Sequence, residues 1–114
     1  MLDIKTQKRI RRHARIRAKV FGTAKRPRLC VFKSNRQLQA QLIDDNKRVT
    51  LMSVCDVKMS GKTKTQRATE AGLKIADMAK KKNIDNVVFD RGGYIFTGRI
   101  RAFAEGAKEG GLKF

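Results

Sequence analysis

Carboxylates are scarce in this chain: ten Asp and Glu stand against 28 Lys and Arg in 114 residues, giving a formal charge of +18. That imbalance excludes internal neutralisation, so an external polyanion is the expected partner. Histidine is nearly absent, His13 being the single copy. Ser34, Ser53 and Ser60 therefore have no histidine base in the domain, and the few carboxylates lie scattered over turns and helix surfaces; no catalytic constellation forms and an enzyme is not expected. Cys30 and Cys55 lack CxxC spacing and, with one histidine, cannot complete a four-ligand zinc site. They read as small buried apolar residues in a reducing compartment, and no metal or other cofactor is expected. No apolar run approaches the roughly 18 residues of a membrane span. The basic N-terminus is followed by no apolar h-region and contains no serines, which speaks against a secretory or organelle-targeting segment. At this length one domain with one modest core is expected.

The positive charge is placed rather than spread. Thirteen Lys or Arg fall in the first 36 residues against Asp3 alone, leaving +12 there and +6 on the remainder. Lys5, Lys8, Arg9, Arg11, Arg12, Arg15, Arg17 and Lys19 form its densest part and Arg26 follows. A nucleic acid would release counterions on meeting them, giving strong, salt-dependent binding. Residues Ile4 to Phe21 contain no Gly or Pro, with Ile10, Ala14, Ala18 and Phe21 at roughly helical spacing. The apolar stripe is thin and Arg17 interrupts it, which favours RNA over a membrane surface. A basic arm over 1–21, helical or disordered when free, thus precedes a domain over 22–114, with Gly22 and Pro27 marking the passage.

Arg28 to Ser34 reads as a central, buried strand through the run Leu29, Cys30, Val31, Phe32. Gln37 to Asp44 alternates, with Leu38, Ala40 and Leu42 on one face and Gln37, Gln39 and Gln41 on a solvent-facing one. Asp44, Asp45 and Asn46 turn the chain into Val49–Val54, completing an antiparallel meander, with the two aspartates read as solvated turn formers. Thr63 and Gln66 have capping-box spacing, and Ala68, Gly72, Ile75, Ala76 and Ala79 then line one side of a helix to about Lys82; Gly72 implies a close approach of that helix to the sheet. Asn86–Asp90 is a short strand that the preceding helix permits to be parallel to a neighbour. Ile100, Phe103, Ala104 and Ala107 mark a last helix ended by Gly110 and Gly111. The fold class is α/β, a βββαβα domain with a mixed sheet and helices on one face.

Ser60-Gly61-Lys62-Thr63 sits between strand and helix like a phosphate-binding loop, but Asp56 occupies the place of that motif's upstream glycine, so a helix cap beside a basic loop is the better reading. Asp90-Arg91-Gly92-Gly93-Tyr94 offers paired glycines for close backbone approach, an arginine that can fork onto phosphate and a tyrosine that can stack on an unpaired base. An equally weighted alternative makes it a tight turn in which Asp90 pairs with Arg91 and Tyr94 fills the core edge.

The segments Arg28-Leu-Cys-Val-Phe-Lys-Ser-Asn35, Val87-Val-Phe-Asp-Arg-Gly-Gly-Tyr94 and Glu109-Gly-Gly-Leu-Lys-Phe114 carry a family likeness over essentially the whole chain. It resembles the bacterial large-subunit ribosomal protein eighteen family. The resemblance implies a structural, cytoplasmic protein of the large ribosomal subunit. It further implies binding of 5S rRNA and its attachment to 23S rRNA in the central protuberance, beside other large-subunit proteins of the 5S subcomplex. It places RNA contacts on Lys5 through Lys19, Lys33, Asn35, Arg36, Arg91, Gly92, Gly93 and Tyr94; Gln37, Gln39, Lys62, Lys64 and Arg99 complete the candidate surface. The chain departs from the usual pattern at Gln37 and Gln39, where glutamine amides would replace stacking rings by hydrogen bonds, and at Thr97, where histidine is common. A general basic RNA chaperone or assembly factor is the alternative that charge by itself leaves open.

Overall fold

The computed structural model describes residues 3–114. Among them the order is α1 (Ile4–Lys19), β1 (Arg28–Lys33), β2 (Leu38–Asp44), β3 (Val49–Cys55), a 3-10 turn (Asp56–Lys58), α2 (Lys64–Lys81), β4 (Val88–Asp90) and α3 (Gly98–Glu109). After the basic helix this is the expected βββαβα sequence. The strands lie in the order β3-β2-β1-β4. β1 pairs antiparallel with β2 and β2 with β3, whereas β4 joins β1 in parallel after the α2 crossover. A bulge between Leu42 and Ile43 shifts the β2–β3 register, which adds local twist. The outer edge of β3 has no strand beside it among the described residues.

The period of two in β2 sends Leu38, Ala40 and Leu42 to one face, all fully buried. Leu29 and Val31 of β1 and Met52 of β3 join them. Both C-terminal helices cover that face, α2 with Ala68, Ala71, Ile75, Ala76 and Ala79, α3 with Ile100, Phe103 and Ala107. The Thr63–Gln66 capping box forms as its spacing predicts, tying off the first free amides of α2. Helix–helix packing is close because small residues meet: a Cβ on Gly72 would overlap the Phe103 carbonyl oxygen and stand 2.7 Å from the Ala107 nitrogen. The close approach at Gly72 is therefore to α3, not to the sheet.

The opposite face of the sheet is open toward β2 and β3, which corrects the reading of β1 as a buried strand. β1 is central, but past the buried Arg28 only Leu29 and Val31 are fully covered; Cys30 is half-buried and Phe32 is 53% exposed. Cys30 and Cys55 are likewise half-buried rather than buried. The apolar run is explained by its position, since a central strand can be apolar on a face that only partners would cover.

Asp44 and Asp45 also depart from expectation. Asp44 is buried and accepts the Asn46 and Lys47 amides, so it does form the turn, but without solvation. Asp45 accepts from Arg28 Nε at 3.0 Å, Arg28 Nη2 at 3.2 Å and the Gly22 amide at 2.7 Å.

Candidate nucleic-acid interface

Helix α1 is capped by Asp3, whose carboxylate accepts the Thr6 amide at 2.7 Å. The helix does not swing free of the domain. Arg12 Nε donates to the Gly93 carbonyl at 2.7 Å and Arg9 Nη1 to the Gly92 carbonyl at 3.4 Å. Gly93 adopts φ +79°, and a Cβ there would overlap the Arg9 carbonyl oxygen and come within 2.8 Å of the His13 nitrogen. Gly93 thus serves a close backbone approach to α1, whereas a Cβ on Gly92, at φ +67°, would overlap the Val31 carbonyl oxygen of β1.

Behind the loop lies a buried ionic cluster. Asp90 is fully buried; its Oδ2 accepts from Arg28 Nη1 at 2.8 Å and its Oδ1 from the Gly92 amide at 2.8 Å. His13 Nε2 sits 3.5 Å from the same carboxylate and Arg17 Nη1 stands 3.7 Å from Asp45. Asp90 therefore pairs with Arg28 and not with the adjacent Arg91. Arg28 is raised above the ordinary guanidinium range: burial opposes the charge, and the bonds to Asp45 and Asp90 outweigh it. The Arg28 hydrogen bond holds Asp45 below the usual carboxylate range against partial desolvation.

A depressed carboxylate contributes stability that is present above its unfolded pKa of about 3.9 and is lost as pH falls through the folded value. Asp45→Asn is accordingly expected to cost about 2 kcal/mol at neutral pH, the scale of a charge-assisted hydrogen bond, and to flatten the acid limb of stability below about pH 4. Urea midpoints from pH 7 down to pH 2.5 measure both; an unchanged acid limb would assign it to other carboxylates.

The docking divides the cations of α1. Arg9, Arg12 and Arg17 are half-buried toward the domain, whereas Lys5, Lys8, Arg11, Arg15 and Lys19 are exposed. At about 100° per residue those five fall within about a third of the circumference, a stripe of one sign, with Arg12 at its domain-facing edge. Ile10 and Phe21, expected on an apolar stripe, are 44% and 56% exposed. Around the corner of the loop, Tyr94 lies with Arg9 5.1 Å and Lys33 5.6 Å from its ring centre, and its hydroxyl donates to the Lys33 carbonyl. Lys33 leads into the β1–β2 turn, where Asn35 and Arg36 are exposed and Lys64 Nζ donates to the Asn35 carbonyl at 2.6 Å. Lys62 and Arg26 are exposed as well.

Arg99 is turned the other way. Its guanidinium, 13% exposed, donates to the Ser34 carbonyl at 2.8 Å and to Asp56 at 3.3 Å, and so holds the β1–β2 turn in place. Gln37 is half-buried and accepts from Cys55 Sγ, leaving Gln39 and Gln41 exposed on the open sheet face. Register places Gln39 beside Phe32 and Gln41 beside Cys30. Phe32 is an exposed aromatic on this face that pattern reading overlooked: pairing it across to the solvent-facing Gln39 would have shown its side. The Ser60–Thr63 loop spends its amides internally, Gly61 on Glu70 and both Lys62 and Thr63 on Gln66.

A lopsidedly basic helix pinned to a small α/β domain, beside an open sheet face, defines a structural protein built to meet a polyanion. The chain matches, over residues 3–114, the family described as ribosomal L18 of archaea, bacteria, mitochondria and chloroplasts, and it belongs to that family. It is 56% identical over 112 residues to the large ribosomal subunit protein uL18 of Limosilactobacillus reuteri, covering 96% of this chain and 95% of that one. The uL18 of Pediococcus pentosaceus is 54% identical over 112 residues at the same coverage, and that of Mycoplasma capricolum 54% over 114 residues, covering 96% and 97%. Membership makes the chain a structural, non-enzymatic protein of the large subunit of the cytoplasmic ribosome, with ribosomal RNA and other ribosomal proteins as partners.

Proposed function

We propose that the chain binds 5S rRNA and mediates its attachment to 23S rRNA in the central protuberance, beside other proteins of the 5S subcomplex. The observation that carries this reading is the stripe Lys5, Lys8, Arg11, Arg15, Lys19, held in fixed orientation because Arg12, at the edge of the stripe, and Arg9 beside it tie α1 to the glycine loop. Residues 1–21 act as the phosphate-binding element and residues 22–114 as the platform that orients it. The stripe supplies affinity; the Tyr94–Lys33 corner and the open face bearing Phe32 and Gln39 supply discrimination, since base and shape contacts specify where phosphate contacts only position. Asn35, Arg36, Lys62 and Lys64 extend the track past the β1–β2 turn.

The test is a titration against 5S rRNA and against transfer RNA as a structured control at about 0.2 M salt, where nonspecific attraction is weakened. A preference for 5S of tenfold or more, about 1.4 kcal/mol, is expected. Changing the five stripe cations to Gln removes about five phosphate contacts and is expected to reduce the slope of log affinity against log salt by about 4. Equal affinity for both RNAs would favour the general RNA-chaperone reading, and an unchanged slope would remove α1 from the interface.

A further inference from the structure

Between α1 and the glycine loop lies a cleft of about 310 Å³ lined by Arg12, Arg15, Ile16, Lys19 and Arg91. Four of its five lining side chains are cations and none is a carboxylate, although the neighbouring Asp45 and Asp90 are both engaged by Arg28. We infer that this cleft is a discrete oxyanion site for one phosphate group, and that its occupancy clamps α1 to the loop.

The inference deepens the RNA-binding reading and rests on it for the natural source of the phosphate, a backbone phosphodiester. Two walls of the cleft come from separate parts of the chain. Arg12 is steered by its Nε bond to the Gly93 carbonyl, which leaves its terminal nitrogens for a ligand. Arg91 belongs to a turn closed by the Tyr94 amide on the Arg91 carbonyl, so its backbone is fixed relative to β4. Arg15 and Lys19 follow Arg12 on the helix at spacings of three and four residues, which stacks them over the same mouth. Unoccupied, the four charges repel one another and work against the docking of α1. A phosphate accepting from Arg12 on the helix and from Arg91 on the loop cancels that repulsion and links the two walls through charge-assisted bonds. Binding and helix docking are then coupled, and each must strengthen the other by the same factor.

Inorganic phosphate is the probe, added to the RNA-free full chain at constant ionic strength maintained with chloride. Saturable amide shifts confined to α1 and residues 91–93 are expected, with slower hydrogen exchange in α1. Arg91→Gln is expected to weaken phosphate at least tenfold while leaving the melting transition without phosphate unchanged or raised. Shifts that fail to saturate, or that match those in chloride alone, would overturn the site. A second arm adds a short RNA duplex: displacement of phosphate identifies the phosphodiester as the natural occupant, whereas co-binding without competition overturns that assignment. Selective binding of 5S rRNA with no saturable phosphate effect would leave the proposed function standing and remove this inference alone.

Discussion

Asp90→Ala is expected to lose about 3–5 kcal/mol of folding stability, the cost of removing one partner of a buried ion pair. The carboxylate is fully buried, and Arg28 and the Gly92 amide both depend on it. Its loss leaves a guanidinium partly uncompensated and frees the loop that seats α1. For a domain with a total stability of about 5–15 kcal/mol this is a large fraction. The matched control is Asp77→Ala, which breaks the exposed 3.4 Å pair with Lys81 one turn away and is expected to change stability by about 0.5 kcal/mol at most. Urea denaturation of both variants, followed by circular dichroism, compares them directly. Similar small losses from the two would mean that Asp45 alone suffices to hold Arg28.

The second large effect is expected at Gly72. On helix propensity alone, Gly72→Ala would stabilise by about 1 kcal/mol. The added methyl, however, meets backbone rather than a movable side chain: the Phe103 carbonyl oxygen and the Ala107 nitrogen. Gly106 makes the reciprocal approach, a Cβ there overlapping the Thr69 carbonyl oxygen, so neither helix can slide to relieve the other. A net loss of about 1–3 kcal/mol is expected from the forced separation. A rise in the denaturation midpoint would show that propensity outweighs the crossing, and the packing account would fail.

The course of the chain was legible because local signals agreed. β2 alternates cleanly from Gln37 to Leu42, the Thr63–Gln66 cap marks the start of α2 to the residue, and the apolar positions of α2 and α3 repeat at helical spacing. What escaped depends on residues far apart in sequence. Arg28 and Asp90 are separated by 62 residues, and nothing local marks them as partners. The role of Gly72 could be inferred as a close approach, but its neighbour on α3 could not. The arm shows the same limit: its composition declared the charge, while the division into a docked side and a free side comes from Gly92 and Gly93, some 80 residues away. For Arg99, residue type suggested a ligand contact; only the position of Asp56 and the Ser34 carbonyl reveals a structural duty.

The uncovered edge of β3 ties colloidal behaviour to salt. A strand with no neighbouring strand on its outer side is a template for another copy, and β3, Val-Thr-Leu-Met-Ser-Val-Cys, carries no charge of its own, its Leu51 carbonyl alone taking a bond from Lys82 Nζ among the side-chain bonds described. What keeps two copies apart is the +18 carried by the whole chain, a repulsion that reaches only about 10 Å at 0.1 M salt and about 3 Å at 1 M. The concentrated brine that strips nucleic acid from such a protein thus also removes its protection against self-pairing.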